Sequence, residues 1–143
     1  MIASVTSREV EAPTQASEPA SKGEEPLFEL STLREQFTSA SPGDLLRIVG
    51  RFGKELDQQI ELLTAEGADV PPQQLRRIVH MLAGSASMIG AMRLAALAGR
   101  LDGMAAREEF SELFASLDEL TTLIRATREA VGHAKADLEA AHS

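Results

Sequence analysis

His80 is the residue of this sequence whose type and surroundings best suit chemistry. A neutral imidazole nitrogen is an available nucleophile near neutral pH, and histidine forms covalent intermediates in group transfer. Apolar residues recur around it every three or four positions, which predicts a helix. At about 100° per residue, His80 falls roughly 150° from the centre of the apolar arc. We therefore expect the imidazole to point into solvent.

The other residues on this outward face are short or cationic. They are Arg76, Arg77, Gly84, Ser87 and, if the helix continues, Ala91. Glycine costs ~1 kcal/mol relative to alanine inside a helix, so a smooth surface beside His80 indicates that a partner brings a reactive group close to the ring. The plainer alternatives are a solvated histidine, solvated arginines and a glycine that permits helix packing.

Met81 and Met88 flank the same face. Methionine side chains make adaptable apolar contacts, so the pair could meet a partner protein. Packing against a neighbouring helix is the equally plain alternative.

Nothing in the sequence pairs either of the other two histidines with His80. His133 and His142 lie far along the chain, there is no cysteine, and no zinc or di-iron spacing occurs. No glycine-rich nucleotide loop is present either. We expect no cofactor of the chain's own and no autonomous kinase or ATPase activity.

The elements that must position His80 are helices. Apolar stripes run over 27–37, 45–63, 75–89, 94–104 and 110–131, and no segment alternates with period two. Ser41, Pro42 and Asp44 form a helix start, Pro71 and Pro72 open the next helix, and Gly90 marks a break. The prediction is an all-α, up-and-down four-helix bundle with a short additional N-terminal helix.

The composition of the chain predicts where the folded domain begins and which kinds of partner are excluded. Residues 1–26 are rich in Ser, Pro, Glu and Ala, which predicts a disordered tail or linker before a bundle over 27–143. The formal charge of −8 argues against nucleic-acid binding. No apolar run reaches the ~18 residues of a membrane span, and no signal peptide is recognisable. We expect a cytoplasmic monomer without direct membrane contact.

The stretch from His80 reads HMLAGSASMIGA and continues through Leu94, Leu97, Leu101 and Asp102. It resembles the signature of histidine-containing phosphotransfer (Hpt) domains, roughly H-x-L-K-G-S-[SA]-x-x-[IL]-G-A-x-x-L-x-x-L-C-x-x-L-E. The resemblance covers about residues 27–130. It implies a phosphorelay carrier in which His80 accepts a phosphoryl group from a receiver-domain aspartate and passes it to another receiver. It also implies that the receiver supplies Mg²⁺.

Three positions depart from that signature. Ala83 stands where the family usually has lysine, which removes a cation expected near the phosphoryl group; Arg76 or Arg77 could supply it instead. Ala98 replaces a cysteine, which is a change of core volume. Asp102 replaces a glutamate, and we interpret it as a surface or capping residue.

Two further hypotheses stand beside the carrier, and the first of them is motivated by Ala83. The first is a docking module that keeps the phosphotransfer fold and uses the same face without accepting phosphate. The second is an unrelated helical adaptor or oligomerisation bundle that matches the signature by chance. The chain could stand alone or form the C-terminal domain of a membrane-tethered hybrid kinase.

Overall fold

The computed structural model describes residues 26–142, and within them the chain forms helices and no strand. The elements are α1 (Leu30–Gln36), α2 (Pro42–Glu66), α3 (Pro72–Ile89), α4 (Met92–Ala106), α5 (Phe110–Ala115) and α6 (Leu117–His142), with a 3₁₀ turn at Gly67–Asp69. Four long helices and two short ones confirm the all-α bundle. The expected tail or linker over 1–26 lies outside the described residues except for Pro26.

Helix α2 begins where the capping residues predict. Ser41 accepts a hydrogen bond from the Asp44 amide, and the Asp44 carboxylate accepts one from the Ser41 amide, each at 3.1 Å. Pro42 occupies the first turn. This capping box satisfies two N–H groups that the helix itself leaves without partners.

Gly90 ends α3 and anchors the N-terminal segment. Its φ of 95° is a left-handed conformation that favours glycine. A Cβ at this position would lie 2.8 Å from the carbonyl oxygen of Glu29. The close approach lets the Glu29 amide donate to the Gly90 carbonyl at 3.1 Å. The N-terminal segment is thereby held against the turn between α3 and α4.

The core lies along the centre of the bundle and consists of aliphatic side chains. Helix α3 packs most extensively against α4, and α2 packs most extensively against α6. The fully buried large residues include Leu56, Leu75, Leu82, Leu94, Leu101, Leu120 and Ile124. Their burial fixes the rotation of each helix about its own axis, which decides the direction in which α3 presents its other face.

The structure corrects three details of the predicted helices. The last helix is interrupted at Ser116, because its hydroxyl donates to the Glu112 carbonyl and its amide donates to Leu113, which tightens the turn. Ala91 is buried rather than outward, since α3 ends before it. The opening helix begins at Leu30, three residues later than the apolar stripe.

Helices long enough to cross a bilayer are present between residues 26 and 142, but none of them is apolar enough to do so.

Candidate functional site

His80 lies on the outward face of α3, as the sequence predicts. Its side chain is 79% exposed. The opposite face of the same helix is fully packed, with Leu75, Val79 and Leu82 completely buried. The helix is therefore held by one face and presents the imidazole on the other.

Asp102 of α4 is the side-chain partner of His80. The Asp102 Oδ2 atom lies 3.2 Å from His80 Nδ1. A carboxylate accepts hydrogen bonds only, so in the neutral ring this contact requires the proton on Nδ1 and leaves the lone pair of Nε2 free.

Sequence reasoning missed this contact, because it interpreted Asp102 as a surface or capping residue. A signal was present. Helices α3 and α4 form an antiparallel hairpin about Gly90, with His80 ten residues before the turn and Asp102 twelve residues after it. Residues at similar distances from such a turn lie at similar heights on the two helices.

The helix surface beyond His80 is clear of bulky side chains. Gly84 and Ser87 are both exposed. A Cβ built on Gly84 meets no atom within 4 Å, so no helix packs closely against this glycine. The packing alternative for Gly84 is wrong, and the space above it is open to another molecule.

Arg76 and Arg77 are exposed and line an open depression together with His80 and Asp102. Neither arginine forms an ion pair with another described residue. The depression therefore has two cationic side chains one turn before the imidazole. Ala83, by contrast, is half-buried and packs against the core.

Met81 and Met88 are the exposed large hydrophobic residues among residues 26–142, at 40% and 52% exposure. Part of each side chain is therefore open to solvent, and the rest is covered by the bundle.

No group of three or more His, Cys, Asp or Glu side chains within 26–142 is arranged to hold a metal ion. The site is therefore one imidazole with one carboxylate partner, two nearby arginines and a smooth surface. The fold and the site together define a helical bundle that presents an exposed imidazole on the outer face of one helix.

Comparison with protein-family models gives a match to the Hpt domain over residues 47–141. The chain belongs to the Hpt domain family. Membership gives it a phosphotransfer role in two-component signalling, in which Hpt domains interact with receiver domains. Neither the curated proteins nor the solved structures include a match to this chain.

Proposed function

We propose that His80 accepts a phosphoryl group from the phospho-aspartate of one receiver domain and passes it to an aspartate of another. The observation that supports this most is the solvent-exposed imidazole whose Nδ1 is held by Asp102 at 3.2 Å. The imidazole supplies the nucleophile, the contact with Asp102 orients it, and its exposure leaves it open to a partner.

In the proposed step the lone pair of His80 Nε2 attacks phosphorus as the bond to the aspartate oxygen breaks. The receiver recovers a carboxylate, and the imidazole ring, still protonated on Nδ1, gains positive charge. The Asp102 carboxylate stabilises that charge. Transfer to the second receiver is the reverse reaction, so the same contact serves both directions.

Phosphoryl transfer depends mainly on in-line positioning and on neutralising the charge of the phosphoryl oxygens. The receiver supplies Mg²⁺ and the acidic pocket. The contribution of this chain is the rigid helix α3 and the cations Arg76 and Arg77, which take the place of the family lysine absent at Ala83. The clear surface at Gly84 and Ser87 lets the receiver pocket reach the ring.

The proposed phosphotransfer step also implies a role for the chain in the cell. The chain acts as a cytoplasmic phosphocarrier whose partners are receiver domains of response regulators or hybrid kinases. Met81 and Met88 contact the receiver around the ring. The chain works as a monomer, because its reactive face must stay open.

One observation favours a second candidate, a docking module that does not accept phosphate. Ala83, three residues after His80, stands where the family usually has a lysine. It is half-buried and carries no charge. Such a module would bind receivers through the same face.

Incubation with phosphorylated receiver domains distinguishes the two candidates. We expect an acid-labile, base-stable label on the wild-type chain and none on His80→Gln, with the helical circular dichroism unchanged. Receiver binding without any label would contradict the carrier and favour the docking module. Undiminished signalling activity in cells after His80→Ala would also contradict the carrier and favour the docking module.

A further inference from the structure

A groove separates α2 from the C-terminal half of α3. Helix α3 packs closely on α4 but meets α2 at few positions, and the segment after α1 borders the opening of about 770 Å³ between them. The residues that line this groove are different from those that line the depression beside His80. Small-molecule sites commonly enclose about 300–1,000 Å³, so the groove has the size of such a site.

The walls of the groove are mainly apolar and include two aromatic rings. Phe37 and Phe52 contribute the rings, and Ile48, Met88 and Ile89 contribute further apolar surface. Aromatic rings associate favourably with one another, and a methionine thioether makes favourable contacts with an aromatic ring. The lining therefore suits a flat apolar group such as an aromatic ring.

Glu55 of α2 places a half-buried carboxylate in this apolar lining. Its Oε2 atom accepts a hydrogen bond from the Ser85 hydroxyl at 3.0 Å. That hydroxyl also lies 3.0 Å from the Met81 carbonyl, and its single proton is shared between the two acceptors. None of the ion pairs within residues 26–142 includes Glu55. The carboxylate can therefore accept further hydrogen bonds from a ligand.

Burial raises the pKa of Glu55, and the hydrogen bond from Ser85 lowers it to a smaller extent. The direction means that the surroundings disfavour the charged carboxylate. A cationic group of a ligand would relieve this penalty, because an opposite charge stabilises the ionised form.

Arg51 provides the opposite charge one turn before Glu55 on α2. It is exposed, lines the same groove and forms no ion pair with a described residue, whereas Arg47 is paired with Asp44. Side chains four positions apart on a helix leave the backbone about 5–6 Å from each other. The groove therefore offers a carboxylate and a guanidinium side by side at the edge of an apolar surface.

We propose that this groove is a binding site for a free aromatic amino acid. The ligand's ammonium group donates to Glu55, and its carboxylate accepts from Arg51. Both groups of an α-amino acid are attached to one carbon atom, so a single zwitterionic head can lie between the two side chains. The aromatic ring then packs against Phe37, Phe52 and Met88. The site does not include His80, and the proposal does not depend on phosphotransfer.

The composition of the chain allows a direct optical test. The sequence contains no Trp and no Tyr, so the indole ring of added L-tryptophan is the one strong fluorophore in the mixture. The fluorescence anisotropy of L-tryptophan reports binding to the full chain, because the free amino acid tumbles much faster than the complex. We expect the anisotropy to rise to a plateau as the chain is added.

Two truncated ligands test the zwitterionic head. Tryptamine keeps the ammonium group but lacks the carboxylate, and indole-3-propionate keeps the carboxylate but lacks the ammonium group. We expect the Kd to be at least tenfold higher for indole-3-propionate than for L-tryptophan, because Glu55 is left half-buried without a cation. The Kd for tryptamine should be about fourfold higher, a smaller loss because Arg51 is exposed.

Matched variants assign each head group to its side chain. Glu55→Gln should raise the Kd for L-tryptophan about tenfold without raising the Kd for indole-3-propionate, and Arg51→Gln should raise the first about fourfold without raising the Kd for tryptamine. The controls are Lys54→Gln and Glu61→Gln, which remove exposed charges from the same helix outside the groove. Each control should leave the Kd within about twofold.

Absence of any anisotropy change with the wild-type chain at about 1 mM would overturn the proposal. An equal Kd for L-tryptophan and indole-3-propionate would also overturn it, and this comparison needs no variant to fold. An unchanged Kd for L-tryptophan in a folded Glu55→Gln chain would do so as well. Failure of the carrier function gives a different result, since receivers then leave the chain unlabelled while L-tryptophan still binds.

Discussion

Helix α3 carries its packing residues on one face and its candidate chemistry on the other. Leu75, Val79 and Leu82 are completely buried, whereas the His80 side chain is 79% exposed within the same turns. The buried face fixes the helix in the bundle, and the exposed face is relieved of any packing role. Substitutions on the two faces should therefore separate stability from phosphotransfer.

The strongest test of that separation compares Leu82→Ala with His80→Ala. The leucine change leaves a cavity in the core and should lower the free energy of unfolding by about 2–5 kcal/mol. The histidine change removes an exposed side chain and should alter it by less than about 0.5 kcal/mol. Urea denaturation measures both, and a loss of similar size at His80 would show that the ring is structural.

The next test concerns the open surface beside the ring. Gly84→Leu and Gly99→Leu replace two exposed helical glycines at which an added Cβ meets no atom within 4 Å. Both should stabilise the chain by up to ~1 kcal/mol, since glycine is a poor helix former. Only Gly84→Leu should obstruct the receiver, and we expect its labelling rate to fall about a hundredfold.

Gly84→Ala refines this result, because a single methyl group should leave most of the approach open. Equal labelling rates for the two leucine variants would mean that the receiver does not approach over Gly84. The stability gain of each variant is measured by urea denaturation in the same samples.

Asp102 should have a smaller effect, because its contact with His80 is exposed to solvent. Asp102→Asn removes the charge that we propose stabilises the phosphorylated ring, and it should slow labelling about tenfold. Asp118→Asn, which changes an exposed aspartate on α6, serves as the control. A quenched time course of labelling measures the rates of both variants. Equal rates for Asp102→Asn and Asp118→Asn would remove Asp102 from the mechanism.

The smallest predicted effect is a pH dependence of stability. Burial raises the pKa of Glu55 above its usual value of 4.5, so the folded chain binds this proton more tightly than the unfolded chain. The stability that protonation contributes is lost as the pH rises from 4.5 through the folded pKa. Glutamine does not titrate, so the Glu55→Gln variant does not lose stability in this way as the pH rises.

Thermal unfolding across that pH interval checks the sign. The Tm of Glu55→Gln should rise relative to that of the wild type as the pH increases, and then the difference should level off. A difference that shrinks over the same interval would mean that the folded state favours the charged carboxylate.

Local signals in the sequence were sufficient for most of the helix boundaries and for the direction of His80. Ser41 and Asp44 marked the start of α2, and Gly90 marked the end of α3, because caps and left-handed positions depend on neighbouring residues alone. The apolar stripe of α3 predicted the solvent-facing imidazole, because burial fixes the rotation of a helix.

Contacts between helices were the part that periodicity could not give. The pairing of His80 with Asp102 depends on how α3 and α4 align across their turn. The contact of Glu55 with Ser85 joins residues 30 positions apart on helices that barely touch. Both depend on side-chain reach across an interface, which no pattern within one helix records.

The central claim is that the exposed Nε2 of His80 carries the phosphoryl group. Phosphorus NMR of the wild-type chain after reaction with a phosphorylated receiver, combined with peptide mapping, tests it most directly. We expect one phosphoramidate, on Nε2 of His80, that disappears in acid. A phosphoryl group on Nδ1, or on any other residue, would contradict the claim.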